Sequence, residues 1–490
     1  MQKNIFKIFK INYISLLFLL IGLFIFCYPM FISGGQLLPG GLNDTRILNY
    51  MLEHGYQYFT QQYMHSSLFD MPMFYPRTNT LSYSDMLIGE MFIYVPIRFF
   101  INNPQDALKI WFIFCCIINY VSMFFLLRKV FNFNTISSSI GAFLFSFALP
   151  RQNEIGHIQL LSQFYMILSL ISFFSIKNYK NKIHNNICFL LGFLFFVIQI
   201  YTSFYLGWYM VYGFIIYLLI LITFKKTRLK AIAFIKKFIY EIILYSLFAF
   251  ILLIPMLYHY LAVNVQFGYN DEINIRTFSA LKLLESDSIL QNIYYYIHNI
   301  YLPESYKCGM GFLSTILIIY GIYTDKKRRK YIFSFIFLSL IFFINPTLNY
   351  ILYHILPGAS AVRLGLRIIF LLLPLYSIYL AYTFEHIKNN RLKYILLFFI
   401  IIEHIGVPGY LWSKEINLTS LNKYKLNNNC IFIYNNNIPK ESPDIYMVDT
   451  VWFAYINNKY PINGFSGFNP NLNEIYTTQN CIINQKKEKE

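Results

Sequence analysis

Long apolar runs recur from Ile11 to Tyr410, and no other property of the chain constrains its fold so tightly. In hydrocarbon every backbone N–H and C=O must find a partner within the protein, so runs of this kind become helices that cross or line a bilayer. The rest of the composition agrees: of 490 residues 57% are hydrophobic and 13% charged, and the mean hydropathy is +0.47. The chain therefore reads as an all-α polytopic membrane protein. The +17 charge is divided among short loops rather than gathered on one basic face, which excludes a nucleic-acid binder. Seven cysteines form no C-x-x-C pair and suggest neither a zinc nor a redox motif.

Eleven spans are expected: Ile11–Ile32, Ala107–Leu127, Thr135–Leu149, Ile158–Ile176, Ile187–Tyr205, Leu206–Phe224, Ile239–Ala262, Gly309–Tyr323, Tyr331–Asn345, Ile368–Glu385 and Tyr394–Leu411. The first run is too long for a signal-peptide core and lacks a small-residue cleavage site, so it reads as an uncleaved span. With the N-terminus in the cytoplasm, inner segments totalling 56 residues carry 22 of the 40 Lys and Arg, whereas outer segments totalling 229 residues carry 17. That density contrast selects one orientation, with the C-terminus outside. Met86 to Phe100 is apolar but holds Glu90, Pro96 and Arg98. Counting it as a span would export the basic clusters that follow, so it reads as interfacial or re-entrant. Segment 33–106 is then one long outer loop with two interfacial helices. The first, Thr45–Phe59, is amphipathic, with Ile47, Leu48, Met51, Gly55 and Tyr58 on one side and Arg46, Asn49, Glu53 and Gln57 on the other. Residues 1–411 thus form a transmembrane domain. Residues 412–490 form a small outer α/β or β-rich domain, with strands read at Cys430–Tyr434 and Ile445–Ile456.

Three polar clusters fall on the outer side. In the first loop, Asp44 and Asp85 each precede an interfacial helix, beside Glu53 and His54; an Asp there is either a helix cap or a base at the bilayer face. Arg151 to His157 leads into Gln159 and Gln163, four apart and so expected on one helix face, where they either line a site or hold the bundle. Arg363 and Arg367, spaced i,i+4 at the outer start of span 10, either snorkel to headgroups or clamp a phosphate through paired N–H donors. Glu403, inside the last span, needs a partner.

The stretches Asn43-Asp44-Thr45-Arg46, Leu52-Glu53-His54-Gly55, Phe74-Tyr75-Pro76, Tyr83-Ser84-Asp85, His157-Ile158-Gln159-Leu160 and Asn463 to Pro470, in that order and on one side of the membrane, resemble a group of bacterial membrane proteins in the GT-C superfamily of integral membrane glycosyltransferases. The resemblance runs over nearly the whole chain. It implies transfer of a sugar from a polyprenyl-phosphate donor to a lipid or polysaccharide acceptor of the cell envelope, on the outer side of the bacterial inner membrane. It also implies an acidic residue of the first outer loop as base, and Asp44 matches that position. Asp85 and His157 join it as candidate catalytic residues, Arg363 and Arg367 as donor-phosphate ligands, and Glu53, His54, Gln159, Gln163, Asn463 and Ser466 as residues lining the substrate. Many members carry two adjacent acidic residues where this chain has Asn43-Asp44, which argues against metal binding of the kind some members show. No metal ligand is assigned and no cofactor is required; divalent-metal use is left open. The alternatives are a transporter or lipid flippase, whose substrate path eleven helices with buried polar groups would also provide, and an inactive envelope assembly protein on the same scaffold.

Overall fold

The computed structural model describes residues 13–176, 182–267, 309–344, 348, 351–352, 355–359, 362, 365–405, 412–414, 430–434, 443–462, 464 and 482–484. Of the candidate site residues, Arg363, Asn463 and Ser466 lie outside them. The chain is mostly helical: α1 Tyr13–Ile32, β1 Leu37–Pro39, α2 Asp44–Phe59, α3 Ile88–Phe100, α4 Pro104–Phe125, α5 Thr135–Phe147, α6 Leu149–Asn153, α7 Phe164–Phe174, α8 Lys182–Thr202, α9 Phe204–Thr223, α10 Lys225–Phe267, α11 Phe312–Thr324, α12 Arg329–Ile344, α13 Ile369–His386 and α14 Asn390–Glu403, then β2 Trp412–Lys414, β3 Cys430–Tyr434, α15 Pro443–Ile456, β4 Tyr460–Pro461 and β5 Ile482–Asn484.

Six of the described helices are long and apolar enough to cross a membrane: Tyr13–Ile32, Pro104–Val130, Lys182–Thr202, Phe204–Thr223, Lys225–Val265 and Ile369–His386. The other five expected spans appear as helices of 13, 11, 13, 16 and 14 residues. At 1.5 Å per residue these reach roughly 16–24 Å, short of the ~30 Å hydrocarbon layer. For α5 the reason is plain: α1, α4 and α13 surround it, and every residue from Ser137 to Phe147 is buried, so it meets protein rather than lipid. Gly22 and Gly141 make that packing close, since a Cβ would strike the Phe147 ring from Gly22 and Leu127 and the Ser377 carbonyl from Gly141. The expected boundary between the basic segment 225–238 and the span after it is a kink within α10, where Phe238 leaves helical geometry (φ −116°, ψ 23°). Glu403 caps another helix: its carboxylate accepts from the Leu313 N–H (2.7 Å), the Ser314 N–H (3.1 Å) and the Ser314 hydroxyl (2.7 Å) at the start of α11.

An expectation is corrected: Ile445–Ile456 lies in a helix, not a strand. Pro443 opens α15, where its missing N–H costs nothing, and Val448, Val451, Trp452 and the half-buried Tyr455 recur at helical spacing against the core. The polar side of α2 is covered by protein: Arg46, Asn49 and Glu53 are buried and Gln57 half-buried, and the neighbouring His54 is buried as well. The tail supplies much of the cover. Arg46 pairs with Asp449 at 2.8 Å, the Trp452 indole donates to the Arg46 carbonyl at 3.0 Å, and the Tyr455 hydroxyl donates to Glu53 at 2.7 Å. The strand β2 pairs antiparallel with β1, and β3 runs parallel to β4 on one side and β5 on the other.

Contacts also sort the loops into two ends. Asp44, Glu154, His157 and Arg367 meet at one end of α13, and Arg46, two residues after Asp44, reaches the tail at Asp449 and the Lys414 carbonyl. At its other end the Asn134 N–H donates to Glu385 (2.8 Å) and Tyr379 donates to Asp325 (3.3 Å), next to the basic 326–330 cluster.

Candidate functional site

The site begins with a close approach of two loops. After β1 the chain turns at Gly40, whose φ of +91° is a glycine conformation; a Cβ there would lie 2.6 Å from the Gly156 Cα and 2.0 Å from the Thr45 hydroxyl. With both positions bare, the loop leading into α2 lies against the loop after α6. Asp44 follows as the first residue of α2. The cap position belongs to Asn43, whose side chain makes no capping bond, so Asp44 stands one residue inside the helix, where the macrodipole favours a negative charge.

Across the contact stands His157. Its Nε2 is 3.6 Å from the Asp44 carboxylate and its Nδ1 is 3.1 Å from Glu154 Oε2. The same Glu154 oxygen accepts from Arg367 Nε at 3.2 Å and lies 3.0 Å from Arg367 Nη2. Nη2 is buried, and its contact with Glu154 lacks hydrogen-bond geometry. Burial alone would raise the Glu154 pKa, but the bond to His157 and the Arg367 charge outweigh it and hold the carboxyl down at about 2. Burial acts against the Arg367 charge as well, and Glu154 more than offsets it, leaving that pKa raised. Four residues from three loops thus form a line from Arg367 through Glu154 and His157 to Asp44, with its Asp44 end partly open to solvent.

Arg151 lies behind this line. It donates to the carbonyls of Phe145 (2.6 Å), Leu160 (3.2 Å) and Leu161 (2.8 Å) and to Gln163 Oε1 (2.7 Å), and its guanidinium sits over the Phe145 ring. Burial lowers its pKa to about 9, which leaves it charged at neutral pH. With Phe26, Glu154, His157, Ile158 and Phe370 it lines a cavity of ≈ 220 Å³, open mouth included. That is below the ~300–1,000 Å³ of usual ligand pockets.

The other expected residues fall elsewhere. Asp85 does not cap the helix that follows it: it is buried and its carboxylate accepts from the Phe204 N–H at 2.6 Å, at the start of α9. Glu53 is fully enclosed and takes bonds from Tyr94, Arg98, Gln57 and Tyr455, at 2.7–2.9 Å. His54 Nε2 faces the Leu68 carbonyl at 2.9 Å and so carries a hydrogen there, leaving Nδ1 to accept from His65 Nδ1 at 2.7 Å. Burial lowers His54 to about 4 and, with His54 beside it, His65 to about 3. Gln159 and Gln163 do not share a helix face. Gln159 sits in a 3-10 turn, Ile158–Leu160, and Gln163 precedes α7, because Arg151 draws the intervening carbonyls to itself. Gln163 is committed to Arg151 and the Phe370 carbonyl (2.5 Å), while the buried Gln159 Oε1 has no partner among the described residues. Glu154 was not singled out from the sequence; its spacing of three from His157 was the only local signal.

The family described as a domain of unknown function (DUF6311) matches residues 21–353. No curated protein matches the chain. Among solved structures, the oligosaccharyltransferase of Archaeoglobus fulgidus, described as a complex with zinc and sulfate, aligns over 93% of this chain with a TM-score of 0.51 and 12% identity. The present chain spans 62% of that protein's length. At that identity the likeness is one of fold, and the fold is GT-C-like.

Proposed function

The chain belongs to the DUF6311 family of domains of unknown function, and from its GT-C-like fold and the Asp44–His157 contact we propose that it is a membrane glycosyltransferase. The reaction read here moves a sugar from a polyprenyl-phosphate donor to a lipid or polysaccharide acceptor on the outer side of the bacterial inner membrane. The observation that carries it is the convergence of two loops, 113 positions apart, on a half-exposed carboxylate facing an imidazole at the loop end of the helical body.

In an inverting displacement the acceptor oxygen forms the new bond to the anomeric carbon while the carbon–oxygen bond to phosphate breaks and polyprenyl phosphate leaves with the electron pair. Asp44 takes the acceptor's proton. Arg367, with Arg363 four residues earlier, stabilises the departing phosphate; its buried Nη2 has no hydrogen-bond partner among the described residues. The buried Gln159 Oε1 faces the acceptor side; Asn463 and Ser466, which lie outside the described residues, are candidates for the same role from the sequence alone. Because the cavity behind the cluster is small, the lipid-linked donor lies along the outer face. The archaeal protein's description includes zinc. Here, among the described residues, no three His, Cys, Asp or Glu side chains converge to hold a metal, and His157 already turns both nitrogens to carboxylates. No step is therefore routed through a metal.

The test is transfer itself. Purified protein in liposomes, given labelled polyprenyl-phosphate sugars and an envelope lipid extract, is expected to move label from at least one donor into a new product. No transfer from any donor, in preparations that remain folded, would favour an inactive scaffold.

A further inference from the structure

His157 stands between two carboxylates, and the geometry gives its two nitrogens different tasks. At neutral pH Glu154 is ionised and has no hydrogen to donate, so the ring nitrogen 3.1 Å from it must be the donor. The hydrogen therefore sits on Nδ1, and in the neutral ring Nε2 carries the lone pair. In that form the lone pair faces Asp44 at 3.6 Å, a separation longer than a hydrogen bond. The buried Arg367 holds Glu154 from the other side, so the carboxylate cannot rotate away without leaving a buried cation behind.

We propose that Glu154 is a positioning residue that fixes His157 as the Nδ1–H tautomer, and that His157 Nε2 is the site to which Asp44 passes the proton it takes from the acceptor. This rests on the reading of Asp44 as base. The step balances. The acceptor's proton moves to the Asp44 carboxylate as the glycosidic bond forms, then to the Nε2 lone pair. The resulting imidazolium lies between Asp44 and Glu154, and its Nε2–H, on the partly open Asp44 side, gives the proton to water before the next turnover while Nδ1–H stays with Glu154. The arrangement follows the logic by which a carboxylate orients a catalytic imidazole in acyl-transfer enzymes, applied here to a residue that receives a proton at second hand.

The tautomer can be read without turnover. In protein labelled with ¹⁵N-histidine, the nine rings are resolved by two- and three-bond proton–nitrogen correlation, and His157 is assigned by its loss in His157→Gln. At a pH where the ring is neutral, wild type is expected to show Nδ1–H at His157, and Glu154→Gln to shift most of the population to Nε2–H. Where transfer is measurable, the same variant is expected to lower kcat at least tenfold with KM little changed, and Glu154→Asp to recover part of the loss. Nδ1–H retained in Glu154→Gln would overturn the positioning role. An Nε2–H ring at His157 in wild type would overturn the whole proposal, and this reading uses His157→Gln only to assign the signal. Should wild type be Nδ1–H while Asp44→Asn transfers sugar normally, the tautomer assignment stands and the base reading falls.

Discussion

The pairing of Glu154 with His157 and Arg367 has a measurable acid signature. Glu154 is held at about 2 against an ordinary carboxyl near 4.5, so the folded protein prefers it ionised. That preference contributes fully above pH 4.5 and is lost as pH falls toward 2; converting the shift gives on the order of 3 kcal/mol. Arg367→Met removes the cation, so the stability gap between wild type and variant, read by thermal unfolding, should narrow between pH 4.5 and 2. A gap independent of pH would mean that Arg367 acts through packing alone. At this scale the loop-charge reading assigns Asp44, His157 and Arg367 to one side of the membrane, and the structure brings the three into one cluster. The sequence was silent on the partner that joins two of them. Glu154 reaches Arg367 across 213 positions, and no local pattern encodes that. The same blindness made Glu53 and His54 look available: Tyr455, which encloses Glu53, is 402 residues away.

Among the elements, the Gly40–Gly156 contact decides whether the two loops can meet. Gly40→Ala requires both a left-handed alanine and displacement of the Gly156 backbone, whereas Gly34→Ala, at φ +64° with nothing within 4 Å, carries only the conformational cost. The expected losses are about 1 kcal/mol at Gly34 and at least ~2 kcal/mol at Gly40, read as unfolding midpoints. Equal losses would show that the loops do not depend on this contact. Glu403→Gln keeps one acceptor oxygen but gives up the charge at the start of α11, for an expected cost of about 1–2 kcal/mol; an unchanged midpoint would remove the capping role. Helix periodicity located most of the described helices. It failed at Ile445–Ile456, where β-branched and aromatic residues suggested a strand and burial against α2 made a helix the better solution. It also overstated the length of α5, which is enclosed by protein and need not match the bilayer, and of α7, whose expected first turn gives way where Arg151 takes the Leu160 and Leu161 carbonyls.

For the whole molecule, the two ends of α13 separate the polar loops from the basic ones, and the orientation read from loop charges can be tested directly. In a chain with Cys308, Cys430 and Cys481 replaced, the described cysteines that remain are all buried. Lys414→Cys is then expected to react with an impermeant maleimide on intact spheroplasts, and Lys327→Cys only after permeabilisation. Labelling of both from the same side would overturn the orientation, and with it the placement of Asp44 on the outer face. The central claim is chemical, and the most direct measurement is sugar transfer by Asp44→Asn beside Asp85→Asn. Asn keeps the size of Asp and caps or begins a helix nearly as well, but cannot take up the acceptor's proton. Asp85→Asn retains the oxygen that accepts from Phe204 and should transfer at close to the wild-type rate. Asp44→Asn should fold normally and lose about two orders of magnitude or more in turnover; transfer at the wild-type rate by this variant would contradict the account.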